Sequence, residues 1–215
     1  MLNFHSNYIL RYRLVCLLLS VGFFTYQFMI ANYENFGIQF RYLTIWGLTG
    51  ATISNYLLYK SKRNNLPEAY HAFVSAAAVL NAMVVFLYWR LYFIDPSLVN
   101  SSNSIVWFQE YYLHAFGPLL LILDALCFNK SFSQFTKGTL TILGICLLYI
   151  FWTEALTAPL NSTPEGSVTN GFPYPFLNNM VLSERLNFYA TTILTGLGLY
   201  FLSWLLTKTK SLFLP

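Results

Sequence analysis

The sequence predicts an all-α integral membrane protein with six transmembrane helices and with both termini in the cytoplasm. Three observations support this prediction. Of the 215 residues, 56% are hydrophobic and only 9% are charged, whereas soluble domains carry about 25% charged residues. Apolar runs long enough to cross a hydrocarbon core of about 30 Å recur along the whole chain. Basic residues collect at alternate ends of these runs, as expected for cytoplasmic ends.

The apolar runs cover most of the chain and leave no room for a second domain, so residues 1–215 are predicted to form a single transmembrane domain. The predicted helices occupy residues 14–31, 38–59, 69–93, 105–127, 138–158 and 186–207. The first run has the basic flank of a signal peptide, but NYENFG follows it and lacks the small residues of a cleavage site. It is therefore retained as a helix.

The positions of the basic residues predict which ends of the helices face the cytoplasm. Most of the 12 Lys and Arg residues precede the first helix, follow the sixth, or connect helices two to three and four to five. Only Arg41, Arg90 and Arg185 fall at the opposite ends. The net charge of +4 therefore reports topology, and nucleic-acid binding has no basic patch to support it.

The outer side is predicted to carry one long connection, residues 159–184. It is rich in Pro, Gly, Ser and Asn, and its FPYPF cluster at 172–176 favours an ordered cap at the membrane interface. Asn100 and Asn161 lie in glycosylation sequons on the same side. Cys16, Cys127 and Cys146 lack any paired spacing and are expected to be buried apolar side chains.

Ionisable side chains inside a membrane are costly and indicate function. Asp124 lies near the cytoplasmic end of helix four, where it is expected to reach the interface or to pair with Lys130. His114 lies deeper, about nine residues or about 13 Å from the outer end of the same helix. Glu110 is one turn away from His114 and either is solvated or orients the imidazole.

A polar layer is predicted around His114 in the outer half of the membrane. Pro118 lacks an amide proton and clashes with the carbonyl of residue 114, which loosens the helix beside the histidine. The other groups at this depth are Thr44, Glu154, Thr191 and Thr192. A single buried threonine usually bonds to its own helix, and a single buried histidine is often a packing residue. Their coincidence on four helices favours a pocket that a lipid enters from the bilayer.

Five segments in order carry a resemblance to a known family. They are FRYLTIWGLTGA, LHAFGPLLLILD, YIFWTE, PYPFLNNM and YATTIL. Their order and spacing resemble the androgen-induced gene family, and the similarity extends from about residue 10 to residue 207.

The resemblance implies a six-helix membrane threonine hydrolase that cleaves fatty acid esters of hydroxy fatty acids. It implies Thr44 as the nucleophile and His114 as the catalytic histidine, and it places the YPF motif of the family on residues 174–176, beginning with Tyr174. The chain departs from the family pattern at Ala115, after the histidine, and at Glu154, in TEALTA.

The expected chemistry needs a nucleophile and a base. The imidazole of His114 takes the proton of the Thr44 hydroxyl and later protonates the leaving alcohol. Glu110 or Glu154 is expected to orient the imidazole, and Glu154 is the preferred candidate. The partner is a lipid ester in a plasma membrane or endomembrane, or in an inner membrane if the source is bacterial. Neither a metal ion nor another cofactor is expected, because the three histidines lack ligand spacing.

Two other classes compete with this interpretation. A small transporter or lipid-binding protein would use the polar pocket without catalysis, although transporters usually show internal repeats, which this sequence lacks. A haem protein would need histidines on facing helices, but His71 lies near the opposite end from His114.

Overall fold

The computed structural model describes residues 2–66, 70–99 and 106–213, which form six long helices and no β-strand. The helices are α1 (Leu2–Met29), α2 (Leu43–Arg63), α3 (His71–Ile94), α4 (Trp107–Phe128), α5 (Phe135–Thr157) and α6 (Leu182–Phe213). Short 3₁₀ turns at Ile38–Arg41, Pro96–Leu98 and Ser131–Ser133 lie in the connections. The all-α prediction is confirmed.

Within these ranges, five helices are long and apolar enough to cross a membrane: α1, α3, α4, α5 and α6. The protein is therefore a multi-pass membrane protein. The exception is α2, which carries several Thr, Ser and Asn residues and a basic last turn. One of these polar groups bonds to a neighbouring helix, since Asn55 donates to the Cys16 carbonyl and to Ser20 of α1. A sixth span through α2 and cytoplasmic termini remain predictions.

The centre of the bundle is α3. It contacts α2, α4, α5 and α6, while α1 packs against α2 and α4. Residues 74–81 of α3 are all buried, and three consecutive alanines among them, residues 76–78, allow neighbouring backbones to approach closely. Asn81 donates from its amide nitrogen to the Gly47 carbonyl of α2 at 2.9 Å. The first turns of α2 are thereby held against the middle of α3.

Helix α4 is irregular where the sequence predicts a disturbance. Residues Tyr112–Phe116 form a π-helical segment directly before Gly117 and Pro118, and such segments accommodate a missing helical hydrogen bond. The carbonyl oxygen of His114 instead accepts a hydrogen bond of 2.7 Å from the Trp89 indole. The partner from α3 therefore satisfies the group that the proline leaves free.

A buried ion pair joins α1 to α4. Arg13 donates from Nε and Nη2 to the two carboxylate oxygens of Asp124, each at 2.8 Å, and both residues are almost fully buried. The expectation that Asp124 reaches the interface or pairs with Lys130 was wrong. Because α1 begins at Leu2 rather than at residue 14, Arg13 lies within a helix that packs against α4.

The connection between α5 and α6 folds back onto the bundle. Phe172 and Phe176 are buried, as an ordered cap requires. The side chain of Asn178 holds the segment together, because it accepts from the Phe172 amide and donates to the carbonyls of Pro164 and Phe172. A short helix, Pro175–Asn178, closes the connection before α6.

The amide of Asn161 is occupied within the fold. Its nitrogen donates to the carbonyls of Thr157 and Phe36, and its oxygen accepts from the Phe36 amide. A glycan on this nitrogen would break these contacts. Asn100, the other sequon, lies outside the described residues. Cys16 and Cys146 are buried as expected, but Cys127 is exposed.

Candidate functional site

The structure brings Thr44 and His114 into contact. The Thr44 hydroxyl oxygen lies 3.3 Å from Nε2 of the imidazole, at the outer edge of hydrogen-bond distances. Thr44 is the second residue of α2, because the segment before it forms a separate 3₁₀ turn, Ile38–Arg41. It therefore lies in the first turn of its helix, and the prediction of a helix starting at residue 38 placed it too deep.

His114 is buried against one acidic and one aromatic neighbour. Its Nδ1 lies 3.0 Å from a carboxylate oxygen of Glu110, one turn earlier, within ion-pair distance although the angle is outside hydrogen-bond geometry. The ring of Tyr88 stacks on the imidazole, with centroids 3.6 Å apart and planes 5° from parallel. The Tyr88 hydroxyl faces the same carboxylate. These contacts restrict the orientation of the imidazole.

Tyr174, in the cap formed by the connection between α5 and α6, covers the start of α2. Its hydroxyl oxygen accepts a hydrogen bond of 3.0 Å from the Leu43 amide and faces the side chains of Thr44 and Tyr149. Burial raises the pKa of Tyr174 to about 12, so the phenol stays protonated at neutral pH. It can therefore donate its own proton to a group beside Thr44.

Thr44 lies between two cavities of opposite character. One, of about 90 Å³, is lined almost entirely by apolar and aromatic side chains of α3, α5, α6 and the cap, among them Leu87, Ile150 and Ile193. The other, of about 730 Å³, has a mixed lining, in which the polar side chains include Arg41, Glu110 and His114. Thr44, Tyr88, Tyr174 and Val99 line both cavities.

Glu154 does not lie against His114, and its preference over Glu110 as the orienting group was wrong. Its carboxylate accepts hydrogen bonds from Arg185 at 2.9 Å and from the Tyr189 hydroxyl at 2.9 Å. Arg185 belongs to the first turns of α6, which begins earlier than predicted. Tyr189 lines the apolar cavity, so Glu154 supports a cavity wall.

The two threonines of α6 differ in position. Thr192 lines the apolar cavity. Thr191 is exposed on the outside of the bundle, and its hydroxyl bonds to the carbonyls of Asn187 and Phe188 in its own helix. Pro118 lines a small void of about 10 Å³ beside Thr44. Of the predicted polar layer, Thr191 is thus outside the site.

Sequence analysis missed Tyr88, Trp89 and Arg41 as parts of the site. Tyr88 and Trp89 occur in an aromatic stretch, LYWRLYF, in which nothing distinguishes stacking partners from lipid-facing rings. Arg41 was interpreted only as an exception to the charge bias. Its position three residues before Thr44 was the one available signal.

The fold and this contact define a multi-pass helical membrane protein with a threonine and a histidine paired in a buried site. The chain matches the family described as FAR-17a/AIG1-like protein over residues 8–208, and it belongs to that family, the androgen-induced gene 1 family. The resemblance inferred from the sequence is confirmed. No curated protein and no solved structure matches the chain significantly.

Proposed function

We propose that this protein is an intramembrane lipid ester hydrolase in which Thr44 is the nucleophile and His114 its base. The observation that carries the proposal is the contact of 3.3 Å between the Thr44 hydroxyl and Nε2 of His114, at the junction of an apolar and a polar cavity. Family membership is consistent with a hydrolase. The proposed substrates are fatty acid esters of hydroxy fatty acids.

The reaction proceeds through an acyl-enzyme. Nε2 of His114 removes the proton of the Thr44 hydroxyl as its oxygen attacks the ester carbonyl carbon. The bond from that carbon to the alcohol oxygen breaks, and His114 gives its proton to the departing alcohol. Water from the polar cavity then attacks the acyl-Thr44 ester with His114 again as base, which releases the fatty acid and restores the threonine.

Glu110 is the proposed orienting group. A carboxylate beside Nδ1 favours the tautomer with the proton on Nδ1, and Nε2 then accepts the threonine proton. Because Nδ1 lies 3.0 Å from the carboxylate oxygen, a rotation of the carboxylate is enough to form a hydrogen bond, and catalytic hydrogen bonds often tighten when the substrate binds. Stacking by Tyr88 opposes rotation of the imidazole out of this position.

The negative charge that develops on the carbonyl oxygen needs donors beside Thr44. The N–H groups in the first turn of a helix have no partner within that helix, and Thr44 belongs to the first turn of α2. The protonated Tyr174 hydroxyl faces the same side chain. We assign the Thr44 amide and the Tyr174 hydroxyl as the oxyanion donors.

The two cavities suggest how the substrate lies. The apolar lining of the smaller cavity suits the part of the acyl chain nearest the ester, because its volume of about 90 Å³ is well below the volume of about 300–1,000 Å³ of pockets that enclose a whole ligand. The polar cavity, which opens beside the outer connections, suits the alcohol portion and admits water. This arrangement places the ester carbonyl at Thr44, which lines both cavities and carries the proposed nucleophile.

The activity is tested with the purified protein in lipid nanodiscs. A fatty acid ester of a hydroxy fatty acid is added, and mass spectrometry follows the fatty acid and the hydroxy fatty acid. Release of both products at equal rates is expected. Ester that binds to the folded protein and is recovered intact would contradict the hydrolase and favour a transporter or lipid-binding protein.

Glu110→Gln is expected to lower kcat by about 10-fold to 100-fold, the range for groups that orient a functional histidine. The matched control is Glu154→Gln, which removes the other carboxylate of the outer layer. We expect that control to lower kcat by less, because Glu154 contacts Arg185 and Tyr189 rather than His114. Both variants are assayed for ester hydrolysis. A greater loss in the Glu154 variant would contradict the assignment of Glu110.

A further inference from the structure

Arg41 is a buried cation that lacks an acidic partner. Its side chain is 3% exposed. Nη2 donates to the carbonyl oxygens of Thr163 and Gly171 at 2.7 and 3.3 Å, while Nε is buried and unpaired. In the described part of the chain, no carboxylate lies within ion-pair distance of Arg41. The carboxylates that form ion pairs there, those of Asp124, Glu110 and Glu154, are paired with other residues.

An uncompensated buried charge is costly, and an arginine does not escape the cost by losing its proton. Burial lowers the pKa of Arg41 from its ordinary value. The two loop carbonyls hold the guanidinium group in place without neutralising it. A fixed and unneutralised guanidinium group is suited to an anionic ligand.

Arg41 also lies where a substrate would be. It lines the polar cavity together with Thr44 and His114, and only residues 42 and 43 separate it from Thr44 in the chain. Its main-chain carbonyl accepts a hydrogen bond from Tyr149, which ties this turn to α5. The position of the charge relative to the nucleophile is therefore fixed by the fold.

We infer that Arg41 binds a free carboxylate on the alcohol portion of the substrate and selects lipid esters that carry one. This inference rests on the proposed hydrolase and adds to it a residue that determines specificity. With the acyl chain in the apolar cavity, the alcohol portion extends into the polar cavity toward Arg41. Neutral esters lack the counter-charge, so they leave the guanidinium group buried and unpaired.

The first experiment compares two substrates that differ only in charge: a fatty acid ester of a hydroxy fatty acid, and the methyl ester of the same molecule. For the wild-type protein we expect kcat/KM to be about 10-fold to 100-fold higher for the free acid, the value of a hydrogen bond to a charged group. Arg41→Gln should abolish this ratio, mainly through KM, and Arg41→Lys should keep part of it. Arg90→Gln is the control, because Arg90 is exposed and does not line the cavity; its ratio should equal that of the wild type.

A binding experiment separates this inference from the proposed function. Thr44→Ala protein is loaded with a fluorescent fatty acid. Stearate or methyl stearate is then added to displace it. Stearate should displace it at a concentration about 10-fold or more below that of methyl stearate, and Arg41→Gln in the same background should remove the difference.

Equal displacement by the two lipids, or equal hydrolysis of acid and methyl ester by the wild-type protein, would overturn the role of Arg41 and leave the hydrolase intact. Stronger displacement by a lysophospholipid with a phosphate head group would overturn the choice of a carboxylate. If no ester is hydrolysed, the proposed function fails, while the displacement experiment still decides whether Arg41 binds a carboxylate.

Discussion

Thr44→Ala, His114→Ala and the double variant should each lose lipid ester hydrolysis by about 10³-fold or more, and to similar extents. The nucleophile and its base act as one unit, so removal of either disables the other and the two effects do not add. The measurement is kcat/KM for the hydroxy fatty acid ester, with product release followed by mass spectrometry. Thr44→Ser keeps the hydroxyl and loses the methyl group that restricts its rotamer, so partial activity is expected.

The matched control is Thr52→Ala. Thr52 lies on the same helix, and its hydroxyl bonds to the Leu48 carbonyl of its own helix at 2.8 Å, so its removal should leave turnover unchanged. Loss of stability should not explain the effect of Thr44→Ala, because an interhelical hydrogen bond in a membrane contributes only about 0.6 kcal/mol. Full turnover by Thr44→Ala would exclude it as the nucleophile. If the His114→Ala protein loses activity only because it no longer folds, His114 is a packing residue.

Arg13→Met should destabilise the protein by about 3–5 kcal/mol, because it leaves the buried carboxylate of Asp124 without its partner. Asp124→Leu, which removes the other partner of the ion pair, should destabilise the protein by a similar amount. The double variant, Arg13→Met with Asp124→Leu, should be nearly as stable as the wild type, since apolar replacement of a whole buried ion pair is often neutral or better. The free energy of unfolding, measured by denaturant titration in mixed micelles, gives the coupling between the two changes.

Arg11→Met is the control for this cycle. Arg11 lies two residues earlier on α1 and is exposed, so its replacement should change the free energy of unfolding by less than about 0.5 kcal/mol. Additive losses in the double variant would contradict a buried pair. Such additivity would instead support the position of Asp124 at the membrane interface that the sequence suggested.

The helices could be predicted because hydropathy and the placement of basic residues are local properties of the chain. The start of α2 could not. The stretch IQFRYL is as apolar as the helix that follows, but Gly37 adopts φ of 81° and Ile38 a φ of 46°, and the chain makes a 3₁₀ turn before the helix begins at Leu43. This difference moves Thr44 from about six residues inside the expected helix to the first turn of α2.

Residues of the site could be predicted where their depth in the membrane was enough to place them. They were missed where the contact depended on the direction of the side chain around the helix axis. Thr44 and His114 share a depth and meet. Glu154 was placed at the same depth, yet its carboxylate faces Arg185 of α6. Thr191 and Thr192 are adjacent in sequence, but only Thr192 faces a cavity. The direction of each side chain depends on packing against α3 and on the π-helical segments of α4 and α5, which apolar composition does not encode.

The central claim, that Thr44 is a nucleophile activated by His114, is tested most directly by covalent labelling. The folded protein in nanodiscs is treated with a fluorophosphonate carrying a long alkyl chain, and the modified residue is located by peptide mass spectrometry. We expect a single adduct on the Thr44 oxygen, absent from Thr44→Ala and strongly reduced in His114→Ala, with Thr52→Ala labelled like the wild type. An adduct on another residue, or no adduct on a folded protein that hydrolyses the ester, would contradict it.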